Sequence, residues 1–233
     1  MAQKLFMREL NSIMENDLKI YLFRHGQTTF NRDGKFTGHL DPPLTELGIR
    51  QAQTVADKLK DKEFQAAFHT SLYRSKQTLD EVLKFHPECK KILEDDRMIE
   101  RNYGDLNGLT HDKFIRKMGE KLYNLEVEGD LIHDLTEEGV KEVEQFLGEQ
   151  EYNLIHRGYN VPPPNGESFA MVEVRVKSFI DYLSDFMKKE NVSVAISAHG
   201  NSIRLFRKIM EKASETEATS WVIPYDSFYE YTI

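Results

Sequence analysis

The chain has 233 residues, 39% hydrophobic and 30% charged, with a formal net charge of -8 and a single cysteine, Cys89. That length can bury a proper core, and the composition is that of an ordinary globular protein. The acidic balance argues against nucleic acid or a membrane surface as partner. One cysteine excludes an intrachain disulfide or a cysteine-cluster metal site and fits a reducing, cytoplasmic setting.

Residues 1–17 read as an N-terminal extension without a signal-peptide apolar core. Leu5, Phe6, Leu10 and Ile13 in it are spaced to line one side of a short helix. The remainder, 18–233, reads as a single domain. Lys19–Phe23 is a short apolar strand that stops abruptly at Arg24-His25-Gly26. Gln27–Leu44 is polar, rich in Gly, Asn and Asp, and predicts a long functional loop. Thr45 is placed to cap a helix that carries Ala52, Val55, Ala56 and Leu59 at helical spacing. Phe64–His69 reads as a second strand, followed by a helix marked by Leu79, Val82 and Leu83. Ile92-Leu93 is a weak third strand.

Thr110–Ile155 shows no strand pattern. Phe114, Ile115, Met118 and Leu122 mark one amphipathic helix there, and Val140, Val143 and Leu147 a second, capped by Thr136. This stretch, about 110–155, reads as a helical insertion. Glu167 opens the longest clear helix, with Phe169, Val172, Val176, Phe179, Ile180, Leu183 and Met187 on its buried face. Val192–Ser197 is nearly continuous in apolar and small residues, as central parallel strands are. It ends at a second histidine-glycine pair, His199-Gly200, and a further helix follows. Ser227–Thr232, rich in aromatics, reads as a closing strand, with an antiparallel direction left open. Strands alternating with helices predict an α/β fold: a three-layer sandwich with a mainly parallel central sheet flanked by helices.

In one parallel sheet, both His-Gly pairs would lie at the carboxyl edge, where open α/β sheets bind ligands. Two imidazoles beside an arginine suit an anion, above all a phosphoryl group. A neutral imidazole can attack phosphorus at pH 7, and nearby cations would hold His25 neutral. Adjacent side chains of an extended segment point to opposite faces, so a turn at Gly26 is required if Arg24 and His25 are to share one site.

Seven ordered motifs make the pattern more specific. Leu22-Phe23-Arg24-His25-Gly26-Gln27-Thr28 resembles the signature of the histidine phosphatase superfamily. Phe36-Thr37-Gly38, Leu44–Gly48, Thr70–Ser75, Glu100–Leu109, Pro162–Ser168 and Ala198–Arg204 are similar to its branch of cofactor-dependent phosphoglycerate mutases. The resemblance implies interconversion of 3-phosphoglycerate and 2-phosphoglycerate, a step of glycolysis and gluconeogenesis, with 2,3-bisphosphoglycerate as primer and no metal. It implies His25 as the nucleophile that becomes phosphohistidine. Arg24, Arg74 and His199 would hold the phosphoryl oxygens, and Glu100, with a raised pKa, would be the general acid and base. Asn31 and Asn201 would add neutral donors, and Thr37 and Gly38 would hold a carboxylate. Arg101, Tyr103 and Arg157 would reach a distal phosphate or carboxylate. The partner implied is a small phosphorylated metabolite, and a homo-oligomer is left open.

The pattern departs from the mutases in two places. His111 stands where they usually carry lysine, and His156 stands for the first of two paired arginines. Both changes weaken permanent positive charge at the distal end of the site, and the insertion is longer than in compact mutases. A histidine is partly charged near neutrality, so if these two replace the cations, substrate affinity should fall from about pH 6 to 8. The same thinning leaves a second reading: a phosphatase of small phosphorylated metabolites that passes the phosphoryl group to water. A third, a non-catalytic phosphate-binding scaffold, would require loss of His25, Glu100 or His199, all of which are present.

Overall fold

The even and odd residues of the first strand face opposite layers, and each layer has its own apolar core. The computed structural model describes residues 17–233; the helix expected around Leu5–Ile13 lies outside them. Strand β1 (Lys19–Arg24) sends Ile20 and Leu22 into one core and Tyr21 and Phe23 into the other. This is the two-residue period of a strand buried on both faces.

The other elements follow in chain order: α1 (Thr29–Arg32), α2 (Glu46–Leu59), β2 (Ala66–His69), α3 (Tyr73–Leu83), β3 (Lys91–Glu94), α4 (His111–Glu128), α5 (Glu137–Arg157), α6 (Phe169–Glu190), β4 (Val194–Ala198), α7 (Gly200–Glu211), α8 (Glu215–Ser220) and β5 (Phe228–Thr232). The strands form one five-stranded sheet in the order β3-β2-β4-β1-β5. All pairs are parallel except β1 with the edge strand β5. One core packs Val172, Val176, Phe179 and Leu183 of α6 and Ile203 and Phe206 of α7 on the sheet. The other packs Val55 and Leu59 of α2 and Leu79 and Val82 of α3 on the opposite face. The expected three-layer α/β arrangement is the one observed.

Boundaries moved where local hydrogen bonds overrode composition. The longest helix begins at Phe169, because Ser168 caps it by accepting from Met171 N. The second strand starts at Ala66; Phe64 is buried ahead of it as a core plug. The long loop contains α1, capped by a reciprocal Thr28–Asn31 pair. Helix α8 was not anticipated. It is a single capped turn and a half whose Ser214–Glu217 box supplies the start signal.

The 110–155 segment folds as two helices, α4 and α5, packed against each other. Two glycines permit the close approach: a Cβ at Gly119 would stand 2.0 Å from Glu144 O, and one at Gly148 would stand 2.0 Å from Ile115 O. A third, smaller core of Phe36, Tyr103, Leu106, Phe114 and Ile155 fastens the pair to the loops at the carboxyl edge of the sheet.

Candidate active site

The carboxyl ends of three neighbouring strands set the site. Arg24 of β1 is in register with Ala198 of β4, and His25 N donates to Ala198 O at 3.0 Å. His25 and His199 therefore leave adjacent strand ends, with ring centroids 5.0 Å apart. Thr70, just past β2, completes the row: its hydroxyl lies 2.8 Å from His199 Nε2. Gly26 serves by its small size, not by a left-handed turn. A Cβ there would meet Gly48 O at 2.1 Å, so the loop can tuck against the start of α2.

His25 Nδ1 lies 2.7 Å from Gly26 O. A carbonyl can only accept, so Nδ1 carries the proton and Nε2 keeps its lone pair. Burial first, then Arg74 and Arg24, hold the His25 pKa well below the usual histidine range. Burial is also the first cause for His199, followed by Arg74 and His25. Cations were expected to keep His25 neutral; desolvation does more of it.

Arg74, completely buried, enters from the first turn of α3. Its Nη2 donates to Gly38 O at 2.8 Å and its Nη1 to Leu40 O at 2.6 Å. Asp41 accepts from Tyr73 N and Arg74 N, capping a helix whose own Leu72 offers no side-chain cap. Thus the long loop is stitched to the helix that presents Arg74. Arg24 donates from Nη1 to Ile223 O at 3.0 Å, and its guanidinium lies 3.9 Å from the ring centre of Tyr225.

Three buried nitrogens around His25, namely Arg24 Nε, Arg74 Nε and His199 Nδ1, have no hydrogen-bond partner among the described residues. Buried polar groups are rarely left unpaired, and two guanidinium N–H donors beside a free ring nitrogen make a ready seat for an anion. The unpaired nitrogens of Arg101 and His86 differ. Arg101 lies against the Tyr103 and Phe169 rings, and His86 against Phe64.

Glu100 Oε1 accepts from Arg101 N at 2.8 Å and from Asn201 N, in the first turn of α7, at 3.1 Å. Helix amino ends favour a carboxylate in this position. The backbone of Glu100 is fixed from behind: its carbonyl accepts from His39 Nε2 and Arg175 Nη2, and Arg175 also pairs with Glu167. Nothing local in the sequence marks Arg175, a residue of α6, for that task.

His25, Arg24, Arg74 and Glu100 open on a cleft of about 220 Å³; His199, fully buried beside His25, is not among its lining residues. Of the residues expected at the site, Arg24, His25, Asn31, Thr37, Gly38, Arg74, Glu100, Tyr103, His111, His156 and Asn201 line it. Gly34, Lys35, Phe36, Gly200, Arg204 and Tyr225 line it too. Arg204 was legible as the residue three beyond Asn201 on one helix face; Lys35 and Tyr225 carried no local signal. Four cationic side chains and one carboxylate face the cleft, so its local field is positive although the chain is acidic.

Two expected distal residues are not brought to the cleft wall. Arg101 is buried and donates to Ile155 O and His156 O. Arg157 donates to Thr219 O at 2.7 Å. Asn201 lines the cleft, but its amide is engaged with Tyr103 Oη and Arg204. His111 and His156 sit in a cluster of rings with Phe36, Tyr103 and Tyr152. Burial lowers the pKa of His111. Burial, then Arg157 and Arg101, lower that of His156 to about 2. His156 is therefore neutral at pH 6 to 8, and the lowered pKa of His111 also works against the expected fall of affinity over that range. Among the described residues no group of histidines, cysteines and carboxylates could hold a metal, and no helix is long and apolar enough to cross a membrane.

Comparison with known proteins agrees with this geometry. The family model described as histidine phosphatase superfamily (branch 1) matches residues 20–145 and 132–233. A 2,3-bisphosphoglycerate-dependent phosphoglycerate mutase of Nitrobacter winogradskyi is 34% identical over 84% of this chain and 82% of its own. One of Pseudoalteromonas atlantica is 27% identical over 90% and 91%. Among solved structures, the alpha-ribazole phosphatase of Shigella flexneri superposes with a TM-score of 0.66 at 22% identity, covering 91% of this chain and 89% of that one. The phosphoglycerate mutase of Bacillus anthracis gives 0.60 at 22%, covering 84% and 81%. These structural likenesses speak for the fold. Together with the sequence relatives they make this chain a member of the histidine phosphatase superfamily, in its cofactor-dependent phosphoglycerate mutase branch.

Proposed function

We propose that the protein is a 2,3-bisphosphoglycerate-dependent phosphoglycerate mutase working through a phosphohistidine at His25. The observation that carries this reading is the gathering around His25 of three buried, unpaired nitrogens, two of them guanidinium donors, with Glu100 lining the same cleft as His25. Nε2 of neutral His25 attacks phosphorus as the bond to the ester oxygen breaks, and Glu100 protonates the departing oxygen. The three non-bridging oxygens take the free donors of Arg24, Arg74 and His199. In each turnover Glu100 takes the proton from the free hydroxyl of a bound monophosphoglycerate, whose oxygen attacks the phosphohistidine as the P–N bond breaks; His25 then takes the other phosphoryl group of the bisphosphorylated intermediate so formed, and Glu100 returns the proton to the departing oxygen. Preorganised donors of this kind are worth about 3–4 kcal/mol of barrier each, and arginine forks suit phosphoryl oxygens. The priming bisphosphate charges His25 before the first turnover, and no metal takes part.

A second reading has its own support. The lowered pKa values of His111 and His156 weaken retention of a bisphosphorylated intermediate, which favours a phosphatase of small phosphorylated metabolites. An enolase-coupled assay with and without the bisphosphate decides between them. Isomer exchange that depends on the bisphosphate supports the mutase; phosphate release without exchange supports the phosphatase. Labelled substrate should leave an acid-labile, alkali-stable adduct in either case. No adduct and no turnover across a panel of phosphate esters would leave only a binding scaffold.

A further inference from the structure

We propose that Arg204 is the specificity residue of the cleft: its guanidinium takes the second anionic group, a carboxylate or distal phosphate, of a small ester whose phosphoryl group sits at His25. This rests on the reading of His25 as the phosphoryl acceptor.

Position comes first. Arg204 stands in the second turn of α7 and lines the same cleft as His25 and Arg24. A Cβ at Gly200 would lie 3.4 Å from Arg24 Cζ and 3.5 Å from Arg204 Nη1. The two guanidiniums thus flank one glycine, with Arg24 beside the nucleophile and Arg204 one step further out. His156, whose pKa Arg204 helps to depress, lies beyond it.

Availability comes second. Arg204 Nε donates to Trp221 O at 2.9 Å and Nη1 to Asn201 Oδ1 at 2.9 Å. These two bonds fix the plane of the fork. Of the five N–H groups of a guanidinium, the rest have no protein partner among the described residues. No carboxylate there lies within ion-pair distance of it, whereas Arg74 has Asp41. Burial and the neighbouring Arg157 and Arg24 lower its pKa to about 10, which leaves it charged at pH 7. A half-buried cation held in place without a counter-ion is costly unless a ligand supplies one.

Elimination comes third. Two other cations near the distal end are turned elsewhere, Arg101 to the carbonyls of Ile155 and His156 and Arg157 to Thr219 O; Lys35 lines the cleft, but its ammonium lies over the Phe30 ring at 4.9 Å. The charge missing from α4 and α5 is thus supplied from α7. The class of ligand that follows is a phosphomonoester of a few carbons bearing a second anion. Neutral sugars and alcohols lack the group that Arg204 would hold.

The test compares 2-phosphoglycolate, which carries both anions, with inorganic phosphate, which carries only the first. Dissociation constants are measured by calorimetry for the full chain and for Arg204→Met and Arg204→Lys. The preference for phosphoglycolate over phosphate should fall about 10- to 100-fold in Arg204→Met, the loss of a charge-assisted pair. In Arg204→Lys, which keeps the charge but not the fork, it should fall by an intermediate factor. If Arg204→Met does not fold, Arg204→Lys answers the same question. A preference unchanged in the variants, with both ligands weakened alike or neither weakened, overturns the assignment of Arg204 alone. Wild-type protein that binds neither ligand overturns the phosphoryl site itself, and this proposal with it.

Discussion

The two ends of the cleft are built from different material. The inner end is made by strand termini and the first turns of α3 and α7, and its charged groups are locked by backbone carbonyls: Arg74 by Gly38 and Leu40, Arg24 by Ile223. The distal end is made by α4, α5 and the loop around Phe36, and its histidines, with lowered pKa values, pack edge-on or tilted against other rings. Rigid sheet-edge geometry serves chemistry, which fails when a group moves by an ångström. Packed helices and ring clusters can change without disturbing that geometry. Under the proposed function, this difference assigns the reaction to the inner end and the choice of substrate to the distal one.

The largest effect should come from the inner end. His25→Ala removes the proposed acceptor, and turnover should drop by at least about 10⁴-fold, with no labelled adduct on the protein. An adduct that persists in that variant would break the assignment of His25. Arg74→Lys should cost about 10²- to 10³-fold in kcat. A lysine keeps the charge but cannot replace bonds to two carbonyls while also presenting a donor to the phosphoryl group. Rates within threefold of wild type would show that the inner end is held by something other than Arg74.

At the distal end the expected effect is on stability. His156 has a folded pKa of about 2 against 6.5 for a free ring. Between those values the unfolded chain binds a proton that the folded chain does not, so stability rises with pH and is complete only above about 6.5. As pH falls below that value, this one ring costs up to about 1.4 kcal/mol per pH unit. His156→Phe keeps a flat ring beside Tyr152 and Tyr103 and cannot be protonated. Its loss of stability between pH 7 and pH 5, measured by urea unfolding, should be smaller than that of the wild type by up to about 2 kcal/mol. Equal losses would show that His156 is not buried as a neutral ring.

The same contrast explains how much was legible beforehand. Strand edges announce themselves: an apolar run stopped by Arg24-His25-Gly26 or His199-Gly200 places its residues at the carboxyl edge, because a parallel sheet leaves nowhere else for them. Arg74 and Glu100 were legible through motif resemblance, since no periodicity distinguishes a buried arginine from a surface one. The distal residues were misjudged for a physical reason. His111 and His156 looked like weak cations because sequence gives a residue its free pKa, while the ring cluster that neutralises them is assembled from three separate segments. Arg101 and Arg157 carried the right charge but not the right direction; the carbonyls of Ile155, His156 and Thr219 that hold them are chosen by tertiary packing. Tyr225 touches Arg24 from the far end of the chain, so nothing near either residue could indicate the pair.

The smallest effect is the sharpest test of the contrast. If the distal rings are neutral, affinity for a doubly anionic ligand should not depend on their titration. Sulfoacetate offers a sulfonate and a carboxylate that both stay ionised from pH 6 to 8, so the ligand contributes no slope of its own. Free histidines would be about three-quarters charged at pH 6 and only a few per cent charged at pH 8, and two of them facing an anion would weaken binding severalfold over that range. The lowered pKa values of His111 and His156, and those of His25 and His199, remove that source of change. Arg204, whose pKa falls only to about 10, keeps its charge throughout. The dissociation constant should therefore move by less than about twofold between pH 6 and 8. A weakening of more than fivefold would mean that the distal rings do carry protons near neutrality, and would return to the α4–α5 end of the cleft the cationic role now placed on Arg204.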